Sequence, residues 1–305
     1  MAPAESDPND SQQRGTAISK RSQKALVDLL GISPQKVFSR RDLGALLKDA
    51  VSKEQLPGSV TLSKSLAFLE GQGLTKVVLK SPTVPGDPVT RYVWGPPSLY
   101  ALGASLRPGA YLSHASAVFL HGLTEQLPKT LYVNKEQSAK PAPSGELTQE
   151  AIDRAFAGTQ RSSTYVYPYE GYRFVILSGK NSNRLEVSQL QDPEGQLVEA
   201  TKLERTLIDI AVRPAYAGGV FEVMAAYRAA RDRASVNTLV ATLQQLEYVY
   251  PYHQAVGFYL QRAGVEPQKL ERLKQLGLQF DFYLAHRMGP TAYSPEWRIH
   301  FPEGL

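Results

Sequence analysis

The stretch that most constrains the fold spans residues 40–73 and reads RRDLGALLKDAVSKEQLPGSVTLSKSLAFLEGQG. Pro57 and Gly58 separate two short amphipathic segments, so it predicts two helices joined by a turn. Two β-prone segments follow at 74–79 and 91–95, on either side of a loop rich in proline and glycine. Helix, turn, helix and ribbon is the order of a winged helix-turn-helix, whose second helix enters the DNA major groove.

Polar residues at the helix starts refine this prediction. A first helix is expected at 19–30, ended by Gly31. Ser39 is expected to cap the next helix, which leaves Arg40 and Arg41 exposed in its first turn. Helices of this kind cross the phosphate backbone at that point.

The predicted reading helix runs from Thr61 to Glu70, with Ser59 or Thr61 as its cap. Its outward face carries Ser63 and Lys64, and short polar side chains with one lysine suit close approach to base edges. Any amphipathic helix has a polar face, so the order of elements carries the interpretation. The predicted DNA-binding residues are Arg40, Arg41, Ser59, Thr61, Ser63, Lys64, Lys76, Lys80 and Arg91, the last three as phosphate contacts of the wing.

Charge is unevenly distributed along the chain. Residues 1–97 carry 13 Lys/Arg against 9 Asp/Glu, whereas residues 98–305 carry 21 against 20. A basic excess on the predicted DNA reader is what phosphate neutralisation requires. The chain has no cysteine, no apolar run long enough to span a membrane and no apolar region typical of a secretory signal near its start. These features predict a cytoplasmic protein without disulfides or thiolate metal sites.

The sequence predicts a mixed α/β (α+β) protein in three parts. Residues 1–18 are expected to form a disordered tail, 19–97 the winged helix-turn-helix, and 98–305 a larger α/β domain with a small sheet and a helical bundle. Within the larger domain, 135–163 is expected to be a surface insertion. Thr201 and Glu204 are expected to form a capping box at the start of a helix.

Two sets of residues in the larger domain could form a metal or catalytic site. His114 and His121 lie two helical turns apart, but no third ligand has a compatible spacing, so buried helix-end histidines are favoured over a metal site. Asp192, Glu194, Glu199 and Lys202 could hold Mg²⁺ in a nuclease. Against this, Pro193 and Gly195 indicate a turn, and no other enzyme motif is present.

Tyrosines at 163–177 could stack on bases, although packing of two predicted strands is the commoner use. The sequence therefore predicts no catalytic residue, no metal and no cofactor.

Three phrases of the larger domain resemble a known family. They are YLSHASAVFLHGLTEQLPKTLYVN, EATKLERTLIDIAVRPAYAGGVFEVMAAYRAA, and YLQRAGVEPQKLERLKQLG followed by EWRIHFP. In this order, behind a winged helix, they are similar to the AbiEi family, the antitoxins of type IV toxin–antitoxin systems. The resemblance covers about 19–94 and 110–302, and 135–163 is longer than usual.

The resemblance implies a function. Members bind inverted repeats in their own promoter through the winged helix and repress it. Their C-terminal domain counters a nucleotidyltransferase toxin encoded beside them, and such pairs can act in phage defence. The resemblance places the antitoxicity region at about 110–302 and supplies no catalytic residues.

Two alternatives remain open: a winged-helix regulator whose large domain senses a small molecule, and a metal-dependent nuclease. An adjacent nucleotidyltransferase gene would favour the antitoxin over the sensor.

Overall fold

The computed structural model describes residues 18–86, 88–141 and 145–305. Helices and several small sheets are interspersed within them, which confirms the predicted α+β class. The tail predicted at 1–18 lies outside the described residues except for Ile18, which packs against the core of the first helices. No described helix combines the length and the apolar character needed to cross a membrane.

The N-terminal part has the element order of a winged helix. Ser39 caps the second helix as predicted: its hydroxyl accepts from Asp42 N at 3.2 Å, and the Asp42 carboxylate accepts from Ser39 N at 2.7 Å. Thr61, not Ser59, caps the third helix. The elements are α1 Lys20–Ile32, β1 Val37–Phe38, α2 Arg40–Ser52, α3 Leu62–Glu70, β2 Leu74–Leu79 and β3 Val89–Trp94.

The end of α1 differs from the prediction. The helix continues through Gly31 to Ile32, and Ser33 is its C-cap with φ −61° and ψ 130°. Ser33 precedes Pro34, and a residue before proline is disfavoured in the α region because of a clash with the proline ring. The proline therefore accounts for the end of α1 that had been assigned to Gly31.

The sheet of the winged helix has two different faces. Its order is β1-β3-β2, all antiparallel, and β1 was not predicted. On one face, Leu74 and Tyr92 join the core formed by the three helices. On the other face, Val77 and Val93 join a second core shared with the larger domain. Both faces of the ribbon are therefore covered near its base.

The first half of the larger domain is built on a six-stranded sheet. Its strand order is β6-β7-β5-β4-β9-β8, in which β5 pairs with β7 and β4 with β9 in parallel, and the other neighbours are antiparallel. The elements are α4 Leu99–Ser105, β4 Tyr111–Leu112, α5 His114–Leu120, β5 Thr130–Glu136, α6 Gln149–Ala157, β6 Val166–Tyr169, β7 Tyr172–Gly179, β8 Val187–Gln191 and β9 Leu197–Thr201.

The predicted surface insertion at 135–163 is wrong in part. Lys135 and Glu136 complete β5, and α6 packs on the main core, where Ile152 is 0% and Phe156 5% exposed. Their i, i+4 spacing places both side chains on one helical face, which covers the bundle. Residues 142–144 lie outside the described residues.

The second half is the predicted helical bundle. It encloses the largest core, with Tyr227, Tyr259 and Trp297 fully buried. A Cβ on Gly257 would lie 2.1 Å from the Trp297 ring, so α10 approaches the indole more closely than any side chain would allow. The elements are α7 Leu203–Val212, a 3-10 turn Pro214–Ala217, α8 Val220–Ala230, α9 Val236–Leu246, α10 Tyr252–Arg262, α11 Pro267–Lys274, β10 Phe282–Tyr283, β11 Thr291–Ser294 and β12 Ile299–Pro302.

The predicted capping box at Thr201 and Glu204 does not form. Lys202 is the N-cap of α7, and no side chain caps that end. Thr201 is the last residue of β9, and its hydroxyl lies 2.8 Å from that of Thr206. The Glu204 carboxylate instead accepts from Ser235 N at 2.9 Å. Thr201 is held in β9 by pairing with Val187, so it is not positioned to form the predicted capping box.

Candidate nucleic-acid interface

The outer face of α3 has the character expected of a reading helix. Ser63 and Ala67 are exposed and Lys64 is half-buried, while Leu66 and Leu69 are buried beneath them. The Thr61 hydroxyl accepts from Lys64 N at 3.4 Å and so fixes the first turn. Small side chains at the surface let the helix axis come close to base edges.

Ser65, which the sequence pattern did not single out, is buried on the inner side of α3. Its hydroxyl donates to the Thr61 carbonyl at 3.0 Å. Ser59 precedes the helix and is exposed.

The first turn of α2 adds two positive charges beside α3. Arg40 and Arg41 are exposed as predicted, and neither forms an ion pair or hydrogen bond through its side chain with another described residue. The capping box at Ser39 and Asp42 orders this turn. Two extended guanidinium groups at a helix start can reach phosphates on either side of a groove.

The exposed Lys76 lies on the face of the sheet that the helices cover. Lys76 pairs with Tyr92 across the ribbon and is two residues from Leu74, which is buried under the helices. Side chains two residues apart on a strand share a face. Lys80 follows β2 at the start of the wing loop and is exposed. Lys76 and Lys80 thus add two exposed positive charges to the wing.

Arg91 contradicts its prediction as a phosphate contact. It pairs with Val77 and so faces the larger domain. Its Nε donates to the Ser105 carbonyl at 3.0 Å and lies 3.1 Å from the Ser105 hydroxyl, its Nη2 also donates to that carbonyl, and its Nη1 donates to the Thr90 carbonyl at 2.7 Å. Burial lowers the pKa of this guanidinium, against the opposing effect of Asp42. Arg91 joins the ribbon to α4 at the carbonyl end of that helix.

The winged helix and the larger domain share a continuous seam. Val77 and Val93 pack in one cluster with Tyr100 and Leu102 of α4. At the wing loop, the Thr83 hydroxyl donates to the Thr164 carbonyl just before β6. The predicted boundary at 97 therefore separates two parts that are packed against each other.

The residues just after the predicted boundary are buried rather than linker-like. Ser98 caps α4, is 0% exposed and donates to the Asp192 carboxylate. This contact ties the start of α4 to the turn between β8 and β9.

The two histidines each have a structural contact of their own. His114 Nδ1 lies 2.9 Å from the Ser113 hydroxyl, and His121 Nε2 lies 2.8 Å from the Thr201 carbonyl. Burial lowers the pKa of His114 to about 4. In the described part of the chain, no three His, Asp or Glu side chains are grouped so that they could hold a metal ion.

The acidic residues weighed for a nuclease are dispersed among separate partners. The predicted turn is present, with Gly195 N donating to the Asp192 carbonyl at 2.9 Å, and the Asp192 carboxylate accepts from Ser98 and from Gln196 N at 2.7 Å. Glu199 pairs with Arg184 at 2.6 Å, and Lys202 pairs with Glu186 at 3.0 Å. This arrangement gives no common centre at which carboxylates and a lysine could hold a metal ion and orient water.

A polar cluster that the sequence did not reveal lies where β4 and β5 meet the loop after β7. Tyr111 donates to Glu136 at 2.8 Å and accepts from Asn134 at 2.7 Å, while Ser182 N donates to Glu136 at 3.0 Å. Burial would raise the pKa of Glu136, but hydrogen bonds from Ser182 and Tyr111 hold it below its ordinary value.

Beside this cluster, Arg205 and Asp209 form a buried ion pair at 2.8 Å. Arg205 also donates to the Leu185 carbonyl at 2.7 Å. Asn183, Arg184 and Glu186 have φ angles of 51°, 59° and 54°, in the left-handed region that costs non-glycine residues energy. Glu136 and Arg205 therefore hold the 182–186 loop in a strained conformation from two sides.

The tyrosines of 163–177 mostly pack rather than face solvent. Tyr167 is 5% exposed and accepts from Arg107 at 2.9 Å. Tyr165 is 39% exposed, with the Arg107 guanidinium 6.0 Å from its ring centroid. The predicted strands and bend are present as β6, Glu170 with Gly171, and β7.

Comparison with known proteins finds a solved structure with a similar overall fold. No protein-family model matches the chain, and no curated protein matches it. Among solved structures, the chain is similar to the crystal structure of the RV2827C protein from Mycobacterium tuberculosis, with a TM-score of 0.53 and 16% identity over 93% of this chain and 92% of that one. At this identity the likeness concerns the fold, and it extends over nearly the whole of both chains.

Proposed function

We propose that this protein is a sequence-specific DNA-binding antitoxin of the AbiEi type, which represses its own operon and counters a nucleotidyltransferase toxin. The observation that carries the DNA-binding half is the winged-helix order of elements, with small polar residues on the outer face of α3. The resemblance of three phrases in the larger domain to AbiEi antitoxins supports the other half.

In this proposal α3 lies in the major groove, where Ser63 and Lys64 meet base edges. Arg40, Arg41 and Lys76 contact phosphates and set the register without reading sequence. Lys80 adds a contact at the wing loop. Arg91 has no part in binding because its guanidinium is bonded to Ser105.

The test of DNA binding uses the full chain, because removal of the larger domain would uncover the apolar seam face of the ribbon. Fluorescence anisotropy at physiological salt compares a duplex from the operon's upstream region with a shuffled duplex of equal composition. We expect the upstream duplex to bind at least about a thousandfold more tightly. Equal affinity for the two duplexes would refute the sequence-specific reader.

The antitoxin half is tested separately by co-expression with the neighbouring nucleotidyltransferase gene under an unrelated promoter. We expect the chain to rescue growth, and the Lys64→Ala variant to rescue it equally although it represses the native promoter poorly. Failure of both proteins to rescue growth would refute the antitoxin half and leave the DNA-binding half standing.

The alternative of a ligand-sensing regulator requires a cavity in the larger domain, and the described residues form a partly open one of about 330 Å³ between α9 and α10. This is at the lower end of the usual range for small-molecule sites. A genome in which the neighbouring gene is metabolic, and growth that the chain fails to rescue, would favour this alternative.

A further inference from the structure

Three tyrosines are among the residues that line the partly open cavity between α9 and α10. Tyr248 and Tyr250 lie on the connecting segment, and Tyr252 is the first residue of α10. The ring of Tyr252 is inclined by 77° to that of Tyr248, with centroids 5.2 Å apart, and by 80° to that of Tyr250, with centroids 6.1 Å apart. The cavity is thus bordered by aromatic surfaces in nearly perpendicular planes.

Two of these rings are held in place by the core behind them. Phe282, which is 0% exposed, packs against Tyr250 with centroids 6.3 Å apart and against Tyr252 at 5.3 Å. Phe156 of α6 packs edge-on against Tyr250 at 5.6 Å. The aromatic walls are therefore formed before any ligand arrives, which reduces the ordering cost of binding.

The polar groups of the lining are largely unused by the protein. The hydroxyls of Tyr248, Tyr250 and Tyr252 and the carboxylate of Glu247 form no hydrogen bond or ion pair within the described residues. Glu247 follows α9 with φ 45°, so its backbone is fixed in the left-handed region at the helix end. Glu247 is exposed, so its carboxylate is available to a ligand.

The charge of the lining discriminates between ligand classes. Among the described residues that line the cavity, Glu247 carries the formal charge, since His253 is bonded to the Gly277 carbonyl and burial lowers its pKa. Lys180 lies outside the lining, 5.6 Å from the Tyr248 centroid, and donates to the Glu247 carbonyl at 2.7 Å and to the Leu246 carbonyl. A phosphate or carboxylate would meet an unpaired carboxylate there and no lining cation.

We propose that this cavity binds an organic cation, a guanidinium or ammonium group, against the aromatic side chains of its lining and the carboxylate of Glu247. Aromatic faces attract such cations through their quadrupole. The carboxylate adds a hydrogen-bond acceptor for the N–H groups. The inference rests on the cavity alone and does not depend on the proposed function.

The experiment titrates the full chain, with its tyrosine rings isotope-labelled, and follows ring chemical shifts by NMR. The probes are Nα-acetyl-arginine methylamide, its neutral citrulline isostere and choline. We expect the arginine probe to bind with a dissociation constant of about 1 mM, as its size allows. The citrulline probe should bind at least about tenfold more weakly because it lacks the charge.

Variants locate the site. Glu247→Gln should weaken the arginine probe about fivefold and leave the citrulline probe unchanged. Tyr248→Leu should weaken it about tenfold, whereas Tyr248→Phe, which keeps the ring, should bind within about twofold of the parent. Glu125→Gln is the matched control, because Glu125 is exposed and does not line the cavity.

Thermal melting confirms that each variant is folded. If Tyr248→Leu does not fold, the exposed Glu247→Gln decides the matter.

Equal binding of the arginine and citrulline probes, or an unchanged affinity in Glu247→Gln, would overturn the proposal. So would the absence of any ring shift at 20 times the expected dissociation constant, that is at about 20 mM probe. If the arginine probe binds more tightly than choline, the ligand is identified as a side chain of another protein. If choline binds more tightly, the ligand is identified as a free quaternary ammonium compound. Either order of affinities supports the site.

Discussion

Arg40 and Arg91 differ in environment because one begins an exposed helix and the other lies on a covered face of a strand. Arg40 begins a helix at the surface, and its guanidinium forms no hydrogen bond or ion pair with another described residue. Arg91 sits on a strand face that points into the seam, where Ser105 accepts its hydrogen bonds. Both were predicted as phosphate contacts, because composition alone does not show which face of β3 is covered. Only the pairing of Arg91 with Val77 settles its direction.

Lys64→Ala tests whether this residue reads sequence. We expect the free energy of binding to the upstream duplex to weaken by about 1–3 kcal/mol if Lys64 reaches a base, with less discrimination against mismatched sites. The measurement is anisotropy at constant salt. Lys140→Ala is the matched control, since it removes the same charge from an exposed site on the larger domain. Unchanged binding by Lys64→Ala would remove this residue from the reading face.

The double substitution Arg40→Ala and Arg41→Ala tests phosphate contacts at the start of α2. Each phosphate contact contributes about 0.9 to the slope of log affinity against log salt concentration. We expect the slope to decrease by about one to two units for specific and shuffled duplexes alike. A slope equal to that of the parent would show that these arginines do not meet phosphates.

His114 gives the stability of the protein a pH dependence with a definite sign. Its pKa falls from 6.5 to about 4 on folding because of burial, so the folded state holds it neutral. The stabilisation is present above about pH 6.5 and is lost as the pH falls towards 4, up to about 3 kcal/mol.

Urea unfolding of the parent and of His114→Asn at pH 7 and pH 5 measures this effect, and asparagine tolerates the left-handed φ of 51° at this position. We expect the parent to lose more stability than the variant on acidification. Equal losses would contradict the assignment.

At the scale of elements, the helices were the most predictable features. α1 and α3 begin and end within one or two residues of their predicted bounds, and α2 begins directly after its predicted cap, Ser39, because apolar periodicity and local caps act within each segment. The strands β1, β4, β8, β9 and β10 were not predicted. β1 has two residues, and its existence depends on pairing with Val93 and Tyr92 far along the chain. Sequence patterns carry little information about such non-local pairing.

The same limit applies to the candidate site. The outer face of α3 and the first turn of α2 follow from helix periodicity and were predicted residue by residue. The cluster around Glu136 combines residues from two strands, a loop and α7, so no single segment of sequence signals it. The tyrosine-lined cavity is similar, since Phe156 and Phe282 support it from distant elements.

Two glycine-to-alanine substitutions test how closely α10 is packed. Gly257→Ala places a methyl group 2.1 Å from the Trp297 ring, and we expect overpacking to cost at least about 1–3 kcal/mol of unfolding free energy. Gly31→Ala is the matched control in α1, where nothing lies within 4 Å of the new Cβ, and it should stabilise the protein by about 0.5 kcal/mol. Urea unfolding measures both, and equal effects would contradict the packing described for Trp297.

At the scale of the whole molecule, the seam between the winged helix and the larger domain is the principal connection. Arg91→Ala removes the hydrogen bonds to Ser105 and leaves the Ser105 carbonyl without these donors. We expect the unfolding free energy to fall by about 1–3 kcal/mol, as for other lost hydrogen bonds of charged groups. The salt slope of DNA binding should stay unchanged, in contrast to the Arg40 and Arg41 variant. A salt slope smaller by one unit in Arg91→Ala would show that Arg91 does contact a phosphate.

The shared core beneath the ribbon limits how the winged helix could be exchanged between proteins in the proposed DNA-binding role. Transplanting the winged helix onto an unrelated protein would expose Val77 and Val93 to water and remove Ser105, whose carbonyl accepts hydrogen bonds from Arg91. A chimaera of this kind should be poorly soluble unless it also includes α4, which covers these residues. In the proposed DNA-binding role, a change of target sequence is therefore expected to arise from amino-acid substitutions on the outer face of α3. The winged helix as a whole is expected to remain with its own larger domain.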